Sequence, residues 1–236
     1  MNQSAVANEF AKMRRLRVSP VASVMVVVVA GLTTVSALTA EPSWEALLAG
    51  LSLAVPLASP LLLAVLASRL VDVEHLGNGW LLSRTSGLTS GGLCRAKFVA
   101  LGLVVTVVTA VTSILVLTAG VFLGVRAPVP AGLWAGYTAA VLLVNLVVLA
   151  LHIVLSARIE NQLAGLGIGV LGTVVAVFSG GLPPAVAHLT PWGYYALAAA
   201  AGYQGERLVA FTPAYPSVAA LGVAAAVLFV IVTRES

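Results

Sequence analysis

Charge is what this sequence has least of. Only 8% of its 236 residues are Asp, Glu, Lys or Arg, against 60% that are hydrophobic, whereas an ordinary soluble domain carries about 25% charged residues. So few charges cannot cover a water-soluble surface, and the mean hydropathy of +1.08 agrees. Cysteine is nearly absent as well. Cys94 stands alone, which excludes an intrachain disulfide and a thiolate metal cluster. His75, His152 and His188 are scattered over separate segments, so no histidine metal site is expected. There is no Gly-rich phosphate loop ending in Lys and Ser/Thr and no His-Glu-x-x-His helix. No carboxylates pair within an apolar run. The expectation is therefore a chain with no catalytic residue, no metal and no bound cofactor of its own. The net charge of +4 and pI near 9.6 would suggest nucleic acid in a soluble protein. Here the cations cluster at the ends of apolar runs, where membrane orientation accounts for them, and no nucleic-acid partner is expected.

What is present is a series of runs long enough to cross a bilayer, which takes about 20 apolar residues each. They predict an all-α integral membrane protein with six transmembrane helices, at about 21–40, 46–70, 98–123, 132–155, 163–182 and 215–232. The whole chain, 1–236, reads as one transmembrane domain. Residues 1–18 are polar and end in Arg14, Arg15 and Arg17. Phe10 and Met13 stand at helical spacing there, which suggests an amphipathic interfacial helix leading into the first span. The run from Val21 to Ala40 exceeds the roughly 7–15 residues of a signal-peptide core and reads as a retained span. Pro56 and Pro60 predict a kink in the second span. Residues 71–97 form the longest polar connection. Residues 183–214 read as a re-entrant or surface-lying helical hairpin broken near Pro191, although 185–201 is apolar enough to be read instead as a seventh span.

Orientation follows from the cations. With the N-terminus inside, the inner segments hold Lys12, Arg14, Arg15, Arg17, Arg69, Arg84, Arg95, Lys97, Arg158 and Arg234, and the outer loops only Arg126 and Arg207. This bias predicts both termini in the cytoplasm. Trp44, Trp134 and Trp192, with Tyr137, Tyr194, Tyr195, Tyr203 and Tyr215, fall near the outer ends of spans and read as interfacial anchors.

Polar groups within spans flag function, because they are costly in hydrocarbon. Asn145 and His152 share one face of the fourth span, seven residues apart, and either line a pathway or bond to a neighbouring helix. Gly165 and Gly169 in the fifth span form a small-xxx-small pair for close helix approach, within the chain or between two copies. Gly132 and Gly136 form another. No Asp, Glu, Lys or Arg lies in mid-span, which argues against an ion-driven transporter.

The 71–97 connection is longer than the 2–8 residues that helix–helix links usually need, and long loops that persist tend to carry function. It contains Glu74, Gly77 and Gly79, Trp80, the pair Ser83-Arg84, and Lys97 leading into the third span. Asp72 and Glu74 read there as solvated carboxylates beside Arg69 and Arg84. This pattern, with the six spans, the leading amphipathic helix and the broken hairpin, resembles the permeases of ABC-2 type transporters. It is most similar to the short permeases of lantibiotic-immunity and related peptide or drug exporters. The resemblance implies that Asp72, Glu74, His75, Leu76, Gly77, Trp80 and Arg84 belong to a coupling element docking on a cytosolic ATP-binding subunit. It also implies a second permease copy, identical or related, enclosing the pathway chiefly with spans one, two and five. ATP and Mg would sit on the partner subunit, and a hydrophobic or amphipathic compound, such as an antimicrobial peptide or a drug, would be moved outward. The setting it implies is a bacterial cell membrane. A non-transporting sensor or assembly module is the alternative.

Overall fold

The computed structural model describes residues 3–39 and 41–234. Helix α1 (Gln3–Arg15) precedes α2 (Val18–Leu38), α3 (Trp44–Leu76), the short α4 (Gly79–Thr85), α5 (Ser90–Phe122), α6 (Ala131–Arg158) and α7 (Gln162–Phe178). A 3₁₀ turn, Ser179–Gly181, extends α7. Two brief helices follow, α8 (Pro184–Ala187) and α9 (Tyr194–Ala198), with a second 3₁₀ turn, Pro191–Gly193, between them. A two-stranded hairpin, β1 (Ala201–Gln204) and β2 (Arg207–Ala210), leads to α10 (Tyr215–Val232). Helices α2, α3, α5, α6, α10 and α7 with its 3₁₀ extension are long and apolar enough to cross a membrane, six in all among the described residues. The all-α membrane class is thus the observed one.

Local chemistry sets the helix starts. The Ser43 hydroxyl accepts from the Ala46 N–H at 3.1 Å, the Thr89 hydroxyl from the Gly92 N–H at 3.0 Å, and the Asn161 amide oxygen from the Leu163 N–H at 2.9 Å. Each satisfies an amide that the first turn leaves orphaned. Inside the spans, hydroxyls return to their own helices. Thr33 and Thr106 donate to the carbonyls of Val29 and Gly102 four residues back, so neither needs a partner in lipid.

Helix α3 is the axle of the bundle. It packs on α2, α6 and α7, and 61% of its most apolar stretch is buried, against 6% for α10 at the edge. Small residues permit the closest approach. A Cβ added at Gly169 of α7 would stand 2.6 Å from the Ala64 methyl of α3, while one at Gly165 would meet Ser156 Oγ of α6 at 3.7 Å. The glycine pair of the fifth span is therefore spent inside this chain, on α3 and α6. Pro56 and Pro60 are buried in a helix that stays continuous through both.

At 33 residues each, α3 and α5 are about 50 Å long at 1.5 Å per residue, well beyond the roughly 30 Å of hydrocarbon. Much of the predicted 71–97 connection is consequently helix. Asp72 to Leu76 continue α3, and Ser90 to Lys97 begin α5. Nothing breaks α3 until Gly77 and Asn78, the latter left-handed at φ 51°.

The bundle has two chemically distinct ends. The ends of α3, α6 and α10 meet the starts of α5 and α7 at the basic end, which holds the ten cations assigned above to one side. Several of the aromatic residues read as interfacial anchors lie towards the opposite end, but four of them are buried instead of standing at the surface. Trp44, Trp134, Tyr137 and Tyr195 are buried in the core. The Trp44 indole donates to Ala127 O at 2.7 Å and that of Trp134 to Ser113 Oγ at 2.8 Å, and the two rings meet edge to face at 5.9 Å. Indoles inside the bundle lock its turns, whereas Tyr203 is exposed.

The 183–214 segment differs from a purely helical hairpin. Only its first half is helical; the second pairs Ala201 with Ala210 and Gln204 with Arg207 around a turn at Gly205, φ +64°. Its helical half dips into the bundle. The Trp192 ring lies 6.1 Å from that of His152, a residue roughly 9 Å by helix rise from the α6 terminus at the basic end. Such a re-entrant piece uses too few residues to cross. In a Cys94→Ala background, Arg126→Cys and Glu206→Cys should react with an impermeant thiol reagent from the same side of a sealed vesicle. Labelling of the two from opposite sides would require a seventh crossing.

Candidate functional site

Helix α1 carries glutamate at the centre of its buried face. Ala5, Glu9 and Met13, spaced four apart, point inward, and Phe10 points out. The expected apolar face of Phe10 and Met13 is thus rotated, with a carboxylate at its middle. The chain reverses at Arg17, a non-glycine residue with φ 52°, which lays α1 against the start of α5.

There Glu9 meets Lys97. The lysine is fully buried, and its ammonium donates to Glu9 Oε2 at 2.8 Å, Glu74 Oε1 at 2.7 Å and the Leu70 carbonyl at 2.9 Å. These three bonds use every donor it has. Lys12 closes the figure, donating to Glu9 Oε1 at 2.7 Å and Glu74 Oε1 at 2.6 Å. Two carboxylates and two ammoniums alternate in a closed ring that joins α1, α3 and α5 and sums to zero charge. Gly79 admits it, because a Cβ there would collide with the Glu74 carboxylate. Glu74 is therefore neither solvated nor paired with Arg69 or Arg84. Glu9 and Lys12 were absent from the sequence-derived site; their one clue was an acidic residue in an otherwise basic N-terminal segment.

A second linkage fastens α4. The Trp80 indole donates to His75 Nδ1 at 3.3 Å, and His75 Nε2 lies 2.9 Å from the Ser156 carbonyl. A donor at Nδ1 leaves the proton on Nε2, so the imidazole gives that proton to Ser156. The chain Trp80–His75–Ser156 ties α4 to α3 and α6. The Gly77 N–H, bonded to Val73 O at 3.0 Å, closes α3. The remaining predicted coupling residues face outward: Asp72 is half-buried, Arg84 exposed, and Leu76 81% exposed, with Leu81 at 64% and Leu82 at 63% beside it. Three large apolar side chains, Leu76, Leu81 and Leu82, are thus exposed at the polar end of the bundle.

Asn145 and His152 lie elsewhere. The Asn145 amide oxygen accepts from Tyr195 O–H at 2.7 Å, and His152 is buried against Trp192. Both hold the re-entrant segment to α6. A cavity of about 510 Å³ opens at the opposite end between α2, α3, α7 and the β-hairpin, reaching Ser36, Ser52, Ser179 and Tyr203. Among the described residues, no three His, Cys, Asp or Glu side chains gather in a way that could hold a metal.

Removing one member of a buried charge pair strands the other, at a cost of about 3–5 kcal/mol. Lys97→Met should lower the unfolding free energy by about that much, and pairing it with Glu9→Gln should recover part of the loss in a double-mutant cycle. Partial burial alone would lower the Lys12 pKa, but hydrogen bonds to Glu74 and Glu9 outweigh it and hold the pKa above the ordinary 10.5. A raised folded-state pKa means that Lys12 stabilises fully below that value and loses its contribution as pH rises through the folded pKa. Wild type and Lys12→Gln should therefore differ in thermal midpoint at neutral pH and converge above pH 10.5.

The arrangement fixes a short surface helix and an N-terminal helix to the ends of membrane spans. No curated relative matches the chain. Residues 5–176 match the family described as ABC-2 family transporter protein, a stretch running from α1 through most of α7. With that match covering most of the chain, from the charge ring to the glycine-bearing face of α7, the protein belongs to the ABC-2 transporter family as a membrane-embedded permease subunit.

Proposed function

We infer that this permease exports a hydrophobic or amphipathic compound, such as an antimicrobial peptide or a drug, with energy from a separate cytosolic subunit that binds ATP and Mg. The observation that carries the reading is the exposure of Leu76, Leu81 and Leu82 on helix ends bonded to the bundle. Exposed leucines at a water-facing end are costly unless a partner covers them. These helix ends are not free to drift, because the charge ring fixes α3 to α1 and α5, and Trp80 and His75 fix α4 to α3 and α6. A push on α4 is thereby passed to α3, which reaches the cavity at the other end.

In this reading the basic end is cytoplasmic, both termini lie inside, and the protein sits in a bacterial cell membrane. A second permease copy completes the pathway, for which α2, α3 and α7 supply the lining through the 510 Å³ cavity. The apolar character of the bundle interior suits amphipathic cargo, and the absence of charged mid-span groups leaves ATP as the driving force. The permease supplies no catalytic residue.

Burying a leucine is worth about 1.5–3 kcal/mol, so Leu81→Glu with Leu82→Glu should weaken binding of the ATP-binding subunit by about tenfold or more. Co-purification from detergent measures it, and an unchanged thermal midpoint shows that the fold is retained. Trp80→Ala should keep the complex but lower transport per ATP hydrolysed in proteoliposomes. Full function without an ATP-binding partner, surviving both changes, would favour a non-transporting sensor or assembly module.

A further inference from the structure

Helix α10 sits at the edge of the bundle and leaves a slot of about 300 Å³ between itself, α5 and α6. Phe98 of α5 and Phe229 of α10 pack ring against ring at one edge of it, centroids 5.1 Å apart, and Leu146, Ala150 and Ala226 line the rest. Every lining side chain is apolar except one. Arg95 stands at the basic end of the slot, one turn of α5 before Phe98.

The guanidinium of Arg95 donates to the Gly91 carbonyl at 3.4 Å and the Thr233 carbonyl at 3.1 Å. Two carbonyls occupy two of its five N–H donors and supply no counter-charge. Among the described residues no carboxylate pairs with Arg95; the ion pairs formed are those of the Glu9–Lys12–Glu74–Lys97 ring. Among the described residues, a cation without an ion-pair partner therefore caps an apolar slot at the edge of the bundle. Among the described residues, no acidic side chain lines the slot to receive the amine of a zwitterionic headgroup. Basic pockets between membrane helices recognise anionic headgroups by this combination of charge and apolar wall.

We propose that the slot between α5, α6 and α10 is a binding site for one anionic phospholipid, with an acyl chain between Phe98 and Ala226 and its phosphate on Arg95. The lipid adds to sparse helix–helix contact and holds α10 to α5, which α10 otherwise meets near Gly91 and Thr233 and at the Phe98–Phe229 ring pair. The site is independent of the cargo and of the ATP-binding partner, and it uses no residue of the charge ring.

The test uses the full chain, delipidated in detergent, titrated with phosphatidylglycerol or phosphatidylcholine, and read by native mass spectrometry and thermal midpoint. Phosphatidylglycerol should bind about five-fold more tightly than phosphatidylcholine, the factor expected of one cation at an anionic surface, and should raise the midpoint further. Arg95→Gln should bring the two lipids level. Ala226→Trp, which fills the slot while keeping the charge, should weaken both. Arg158→Gln alters a nearby exposed cation outside the slot and should leave the preference intact. Equal binding of the two lipids by the wild type would overturn the proposal. So would a preference that survives Arg95→Gln, or one lost equally with Arg158→Gln, which would assign it to diffuse surface charge.

Discussion

Everything at the basic end depends on one buried ion-pair ring. Glu9, Lys12, Glu74 and Lys97 come from three elements that have little else in common, and their charges cancel only when all three elements are in place. Taking an ion out of water costs several kcal/mol, and attraction offsets this only where the geometry satisfies its donors and acceptors. Here Lys97 has three acceptors and both oxygens of Glu9 are used, so the condition is met. The ring also compensates for what α1 lacks. Ala5 and Met13 are a thin apolar face for a helix of 13 residues. Hydrophobic burial alone would leave α1 loosely placed; the ring gives it one position.

The same economy governs the span region. Lipid supplies no hydrophobic drive between helices, so close packing and internal hydrogen bonds must hold them. Helix α3 meets this through small residues facing α7, and the re-entrant segment through Tyr195 on Asn145. At the opposite end, indoles bonded to carbonyl and hydroxyl groups do what water does at a soluble surface. The result is a bundle rigid along α3 and looser at α10.

The six spans were legible because each is an uninterrupted apolar run, and α2, α6 and α10 leave their runs at once into turns. The lengths of α3 and α5 were hidden, since composition marks where hydrocarbon ends and not where a helix ends. Asp72 to Leu76 are polar but contain no breaker. Trp44 and Trp134 at span ends read alike whether they face lipid or core, and only the fold separates the two. The turn around Gly205 is too short, with four-residue strands, to stand out beside the apolar hairpin. The predicted coupling residues Trp80 and His75 do meet in space, five residues apart. The ring did not emerge because its members are separated by 62 and 88 residues, and no local periodicity links them.

That 88-residue interval has a consequence for how the protein is made. Glu9 leaves the ribosome long before Lys97 exists, and at about 5–20 residues per second the wait is roughly 4–18 s. Over that time Glu9 has one of its two ring cations, Lys12 three residues away, and the neutral ring that seats α1 beneath the headgroups is incomplete. The first helix to be synthesised is thus among the last to be seated, and the start of α5 works as the signal that two spans have been laid down before it.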